Sequence, residues 1–159
     1  MSWENKFPYR MRTLAAPEPM VYEPPMVYNH RHPMELRGTT VLVVEDDQDT
    51  REVMRAMLEL CGATVLVAES ARTGLDAFEK ARPDVIVSDI AMPGEDGYWL
   101  VREVARRMNA RDVPAVAVTA FSGEHRREAA LAAGFRAHLA KPVDPDVLCR
   151  TVAEVMTPD

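Results

Sequence analysis

From Gly38 onward, short apolar runs rich in β-branched residues alternate five times with stretches of helical apolar spacing. The runs lie at residues 40–44, 64–68, 84–88, 115–118 and 137–140. Three of them are nearly continuous apolar stretches, as in parallel strands that helices cover on both faces. Five strand–helix units in succession predict right-handed crossovers and a doubly wound, parallel α/β sheet.

One-sided apolar stripes predict a helix after each strand. They lie within residues 53–61, 71–78, 100–105, 129–133 and 147–155. Gly62 and Gly134 follow the first and fourth stripes and are natural helix stops, and Pro83 follows the second. Asp47 and Asp96 precede helical stretches, so we expect them to cap the first turns rather than to bind a ligand.

Residues 1–37 differ sharply from the rest of the chain. They hold six of its twelve prolines and show neither helical nor alternating periodicity. We therefore expect a disordered Pro/Met-rich tail at 1–37 and one folded domain at 38–159. A Pro-Met-Val-Tyr repeat at 19–22 and 25–28 is either a chance duplication, which we favour, or a polyproline-type docking segment.

Composition limits the classes of function. The formal net charge is -6, and most of the acidic excess lies after residue 37, which argues against binding a nucleic-acid backbone. No apolar run has the length of a signal peptide or a membrane span. Cys61 and Cys149 both lie in helical apolar patterns, so we expect two buried free thiols in a soluble, cytoplasmic protein.

Polar side chains follow each predicted strand, and those after the first, third, fourth and fifth are the candidates for a site. They are the run Glu45-Asp46-Asp47, then Asp89, Thr119 and Lys141. In a doubly wound sheet, ligands bind beyond the carboxyl ends of the strands, so we expect these groups to converge there. Gathered carboxylates repel one another unless a cation is present, and a hard divalent cation with oxygen ligands resolves that repulsion.

Such a site suits phosphoryl chemistry. A carboxylate can attack phosphorus and form an acyl phosphate. The transferred group then needs neutralisation of its equatorial oxygens, which a divalent cation, the ammonium of Lys141 and the hydroxyl of Thr119 can supply. The sequence therefore predicts a phosphoryl-accepting carboxylate at this edge of the sheet.

Four motifs resemble those of bacterial receiver domains, which belong to two-component response regulators. They are Val-Val-Glu-Asp-Asp, Ser-Asp-Ile-Ala-Met-Pro-Gly-Glu-Asp-Gly, Val-Thr-Ala and Ala-Lys-Pro, in this order, and the similarity spans residues 39–155. The resemblance implies a flavodoxin-like sheet of five parallel strands in the order 2-1-3-4-5, with five helices.

The resemblance also implies roles for the acidic residues. Asp89 would be the phosphoacceptor. Mg²⁺ or Mn²⁺ would be bound directly by Asp46 and Asp89, through water by Glu45, and by the backbone carbonyl of Ala91.

The remaining motif residues would act around the phosphoryl group. Lys141 would pair with it, with a cis bond before Pro142. Thr119 would move toward it, and His138 stands where the family often has a Tyr or Phe switch residue. The switch position of this chain therefore carries an imidazole instead of a phenyl or phenol ring.

The expected function follows from that resemblance. The chain would be a single-domain response regulator that takes a phosphoryl group from a histidine kinase or histidine phosphotransfer protein. It ends soon after the fifth helix, so we expect no output domain, no nucleic-acid or membrane partner, and a monomer or a phosphorylation-linked dimer. Signals would pass to a protein target through the surface of the fourth helix, fifth strand and fifth helix. Its polar residues are Arg126, Arg127, Arg136, Asp146 and Arg150.

Other interpretations stay open at this point. We expect no enzyme beyond self-catalysed phosphotransfer and slow self-dephosphorylation, because Ala91 and Phe121 cannot orient water. A Mg²⁺-dependent aspartyl-phosphate phosphatase is the main alternative, although Ala91 stands where haloacid-dehalogenase-like enzymes place a second aspartate. A phosphorylation-independent interaction module and a fragment of a hybrid kinase are the others.

Overall fold

The computed structural model describes residues 35–108, 112–121 and 123–157. Strands and helices alternate along the chain as the sequence predicts. They are β1 (Thr40–Val44), α1 (Gln48–Leu60), β2 (Thr64–Ala68), α2 (Ala71–Ala81), β3 (Val85–Ser88), α3 (Gly97–Arg107), β4 (Ala115–Thr119), α4 (Glu124–Ala133), β5 (Ala137–Ala140) and α5 (Pro145–Met156).

The five strands form one parallel sheet in the order β2-β1-β3-β4-β5. The strand order that the family resemblance implied is therefore confirmed. The central strands β1, β3 and β4 have few exposed side chains because helices cover both faces of the sheet. This topology brings the carboxyl ends of β1 and β3 side by side.

Alternate residues of each strand enter two separate cores. Leu42 and Val44 of β1 pack among residues of α2 and α3, including Phe78 and Leu100. Val41 and Val43 face the opposite side, where residues of α1 and α5 such as Leu58 and Leu148 pack against the sheet. Helix α5 is therefore anchored on the same side of the sheet as α1.

Local capping fixes where the helices begin. The carboxylates of Asp47 and Asp96 accept hydrogen bonds from the backbone N–H groups of Thr50 and Trp99, so both capping predictions are confirmed. Gly134 ends α4 with φ 118, a left-handed conformation that favours glycine. Both Asp47 and Asp96 are thereby assigned to helix starts next to the polar edge of the sheet.

The folded core includes Leu36, which the sequence pattern placed in the tail. Its side chain is fully buried in the α1/α5 core, and its N–H donates to the carbonyl of Cys61 at 2.9 Å. The predicted disorder of the tail and its Pro-Met-Val-Tyr repeat lie outside the described residues. None of the helices in the described part of the chain combines the length and the apolar character that a membrane span requires.

The prediction of two free thiols is wrong. Cys61 and Cys149 form a disulfide, with their Cα atoms 6.4 Å apart, a separation normal for such a bond. Helical periodicity correctly places each cysteine on an apolar face. It does not reveal that α1 and α5 pack side by side, and that packing brings the two sulfurs together.

Candidate functional site

The polar groups that follow the strands do converge at the carboxyl edge of the sheet. The N–H of Asp89 donates to the carbonyl of Val44 at 2.9 Å, which holds the end of β3 beside the end of β1. The N–H of Lys141 donates to the carbonyl of Thr119 at 2.9 Å and does the same for β5 and β4. Backbone pairing of the strands thus positions all four chain segments of the site.

Three carboxylates form a cluster at this edge. Glu45, Asp46 and Asp89 each offer an oxygen, and these oxygens lie within 4.8 Å of one another. Glu45 and Asp89 are only 1% and 5% exposed, whereas Asp46 faces solvent. The site is therefore a mostly buried acidic cluster that is open to water on the Asp46 side.

Lys141 supplies the positive charge inside the cluster. Its Nζ donates to Glu45 Oε2 at 2.6 Å and to Asp89 Oδ2 at 3.1 Å. Two nearly buried carboxylates without a positive charge nearby would be costly, so this ammonium stabilises their close approach. It also lies where it can meet an oxyanion attached to Asp89.

The charge states of the cluster are tightly linked. Burial raises the pKa of Glu45, reinforced by the nearby negative charge of Asp89, and the hydrogen bond from Lys141 only partly offsets this. Burial alone would lower the pKa of Lys141, but its hydrogen bonds to Glu45 and Asp89 raise it overall. Lys141 is thus held firmly in its ammonium form.

The side chain of Asp89 is oriented from two sides. Its Oδ1 accepts the N–H of Ile90 at 2.7 Å, and its Oδ2 meets Lys141. The hydroxyl of Ser88 donates to the backbone carbonyl of Asp89 at 2.8 Å. Gly97, the first residue of α3, packs directly against this backbone, with its N–H donating to the carbonyl of Ile90. The Asp89 carboxylate is therefore held in place by its own turn and by Lys141.

Thr119 is the last residue of β4, and its hydroxyl bonds to the backbone of the loop that follows. It is 2% exposed, and its Oγ1 accepts the N–H of Phe121 at 3.3 Å. Phe121 is half exposed and has the guanidinium of Arg126 4.9 Å above its ring. This hydrogen bond links the Thr119 hydroxyl to the loop that leads into α4.

Ala91 and His138, two further positions that the resemblance implied, take part in none of the hydrogen bonds described above. Ala91 is exposed in the loop after Asp89. His138 pairs across the sheet with Ala117, and its Nε2 is buried without a hydrogen-bond partner among the described residues. A buried polar atom without a partner is costly, so this position carries an uncompensated polar group.

Sequence reasoning missed Arg51. Its guanidinium donates to the carbonyl of Glu45 at 2.8 Å and to that of Asp46 at 3.4 Å. It thereby braces the backbone that presents two of the three carboxylates. The sequence signal for the role of Arg51 is a basic residue one helical turn after the start of α1, close to an acidic loop whose negative charge needs a positive partner.

The arrangement combines a buried carboxylate at the end of β3, further oxygen donors suited to a divalent cation, and an ammonium that contacts two carboxylates. It lies beyond the carboxyl ends of the strands of a doubly wound sheet, where such folds bind their ligands. A family model described as the response regulator receiver domain matches residues 41–153, and the chain belongs to that family. Receiver domains act in two-component signalling, where aspartyl phosphorylation and Mg²⁺ binding are general features of the family.

Individual relatives agree with this assignment. The chain is 46% identical over 114 residues to a 14.6 kDa protein in the sodA1 3' region of Leptolyngbya boryana, covering 72% of this chain and 87% of that one. It is 32% identical to protein PilH of Pseudomonas aeruginosa, covering 73% and 96%. The structure of Vibrio cholerae chemotaxis protein CheY4 matches with a TM-score of 0.69 at 30% identity, covering 74% and 98%.

Proposed function

We propose that the protein is a single-domain response regulator whose Asp89 carboxylate accepts a phosphoryl group from phosphohistidine. The donor would be a histidine kinase or a histidine phosphotransfer protein. An Asp89 oxygen forms the new bond to phosphorus while the P–N bond of phosphohistidine breaks, and the imidazole leaves with the electron pair. The observation that carries this proposal is the placement of Lys141 between Glu45 and Asp89.

The donor set fits Mg²⁺ or Mn²⁺. The cluster offers hard oxygen ligands from Glu45, Asp46 and Asp89, and the exposed position of Asp46 allows bound water to remain. We propose Asp46 and Asp89 as direct ligands, Glu45 as a ligand through water, and the backbone carbonyl of Ala91 as a further ligand. When bound, such a cation neutralises charge on the phosphoryl oxygens.

The signal would leave through Thr119 and His138. A phosphoryl group on Asp89 adds acceptor oxygens, and the Thr119 hydroxyl can exchange its bond with the Phe121 N–H for a bond to one of them. His138, whose Nε2 has no partner within the described part of the chain, would then change position. Both residues lie on strands that border α4 and α5, which favours a population shift of that surface.

We propose that this surface, made by α4, β5 and α5, binds a protein target or a second copy of the chain. Its side chains Arg126, Arg127, Asp146 and Arg150 are exposed. Arg136 is engaged instead, donating to the carbonyl of Val155 at 2.8 Å and pairing with Asp112, so it anchors the end of α5. The net charge of -6 argues against a nucleic-acid partner.

The test is phosphotransfer with the purified protein. It should gain one acid-stable, hydroxylamine-sensitive phosphoryl group from acetyl phosphate, or from one kinase of a panel, in a Mg²⁺-dependent reaction. Multiple turnover of a generic phosphomonoester would instead favour the phosphatase alternative. Absence of any incorporation from all donors would favour an interaction module that does not use phosphate.

A first prediction concerns the metal. Replacing Asp46 with Asn should weaken Mg²⁺ binding by at least about 10-fold, because one anionic oxygen ligand is lost. Calorimetric titration with Mg²⁺ measures this directly. The matched control is Asp47→Asn, since Asn can still cap α1 and Asp47 lies outside the cluster. Equal weakening by both substitutions, or by neither, would contradict the assignment.

A second prediction concerns the lifetime of the phosphoryl group. Ala91 and Phe121 flank the site with apolar side chains, so neither can position an attacking water, and the aspartyl phosphate should decay slowly. Phe121→Glu should speed the decay by about 10-fold or more, because a carboxylate there can act as a general base. Phe121→Leu is the control and should leave the rate unchanged. The measurement is loss of label from purified phosphoprotein without phosphatase.

A further inference from the structure

The disulfide between Cys61 and Cys149 joins two helices that are far apart in sequence. Cys61 directly follows the last residue of α1, and Cys149 lies on α5, 88 residues later. Disulfides are rare in cytoplasmic proteins, where those that occur are usually transient or redox-sensing. A bridge in a receiver domain therefore calls for a comparison of its oxidised and reduced forms.

The bridge is remote from the acidic cluster along α1. The first turn of α1 is capped by Asp47 next to Glu45, whereas Cys61 lies beyond its last turn. A helix of this length spans about 20 Å. Cys61 also accepts the N–H of Leu36 through its backbone carbonyl, which places it beside the start of the folded core. Chemistry at the sulfurs can thus proceed without disturbing the carboxylates.

Cys149 sits at the boundary between the two faces of α5. Its neighbour Leu148 is fully buried, while Val147 and Arg150 are exposed. The same helix therefore carries both the bridge to α1 and part of the exposed surface next to α4. A covalent tether at Cys149 restrains the motion of that surface relative to α1.

The surroundings also suit the reduced form. Cys149 Sγ lies 3.6 Å from the backbone carbonyl oxygen of Met57, so a thiol there has an acceptor for its S–H. Cys61 is partly exposed, whereas Cys149 is only 3% exposed. Cys61 is therefore the more accessible of the two residues to an incoming thiolate.

We propose that Cys61 and Cys149 form a reversible thiol–disulfide switch that clamps α5 onto α1 when oxidised and frees α5 when reduced. The co-reactant is a low-molecular-weight thiol/disulfide couple. A small thiolate attacks Cys61 Sγ, the protein S–S bond breaks, and Cys149 leaves as a thiolate that takes a proton. A second small thiolate then releases the small disulfide from Cys61, which is left as a thiolate and takes a proton. This switch requires no phosphorylation.

The experiment has two readouts on the full chain. The protein is equilibrated with glutathione at a series of reduced-to-oxidised ratios, free thiols are alkylated, and intact mass counts them. Both thiols should appear together across the series. Amide hydrogen exchange is then compared between the two forms, and reduction should speed exchange in α5 by about 10-fold or more while leaving β1 and β3 unchanged.

A Cys61→Ser variant serves as the permanently reduced control, and its α5 exchange should match that of reduced wild type. Three outcomes would overturn the switch. In the first, the bond resists glutathione at every ratio and is a permanent structural bond. In the second, exchange in α5 is equal in both forms. In the third, reduction speeds exchange throughout the sheet, so the bridge stabilises the whole fold. Mg²⁺ titration and phosphate uptake report separately on the acidic site.

Discussion

Asp89→Asn is expected to abolish phosphate uptake, with a loss of at least about 1,000-fold from any donor, because a carboxamide does not attack phosphorus. The change is close to isosteric. An Asn Oδ1 can still accept the N–H of Ile90, and Lys141 keeps Glu45 at 2.6 Å. The substitution also removes the repulsion between Asp89 and Glu45, so the fold should remain intact. Radiolabel or mass analysis after exposure to acetyl phosphate measures the loss.

The matched control is Asp96→Asn in the loop between β3 and α3. Asp96 caps α3 through the Trp99 N–H at 2.8 Å, and Asn performs that task about equally well. This variant should take up phosphate at the wild-type rate. If the Asp89→Asn protein takes up a comparable amount of phosphate on another residue, Asp89 is not the phosphoacceptor.

Gly97→Ala is expected to cost about 3 kcal/mol of stability and to slow phosphate uptake by about 10-fold or more. An added Cβ would lie 2.3 Å from the backbone oxygen of Asp89 and 2.9 Å from Cα of Ile90. Both obstacles are backbone, so no side-chain rotation can relieve the overlap, and the turn itself must move. Movement of Asp89 relative to Lys141 then disturbs the reacting geometry. Urea denaturation and acetyl phosphate kinetics measure the two effects.

The control variant Gly94→Ala separates the cost of steric overlap from the cost of placing a Cβ on a left-handed backbone. Gly94 lies in the same loop with φ 80, and an added Cβ would meet no atom within 4 Å. Its cost should be only about 1 kcal/mol, from the left-handed conformation. The crowding argument fails if Gly97→Ala proves as mild as Gly94→Ala, or if it loses stability without any change in phosphate uptake.

Arg51 and Leu36 show where sequence reasoning fell short. Each contacts residues that tertiary packing brings close, and the local sequence pattern carries no information about that packing. Arg51 reaches back to two backbone carbonyls, and Leu36 fills a core whose other members come from α1, α5 and the sheet. A sequence pattern reports the face on which a side chain lies, but not its partner across the fold.

The sequence by itself determined the alternation of strands and helices, because apolar periodicity is a local property. It also determined that acidic, hydroxyl and ammonium groups follow β1, β3, β4 and β5, and the family motifs supplied the strand order. Only the tertiary structure decided that Lys141 lies between Glu45 and Asp89, that Thr119 bonds to Phe121, and that Cys61 joins Cys149. These contacts depend on how helices and loops pack over the sheet, which is set by the sum of many distant interactions.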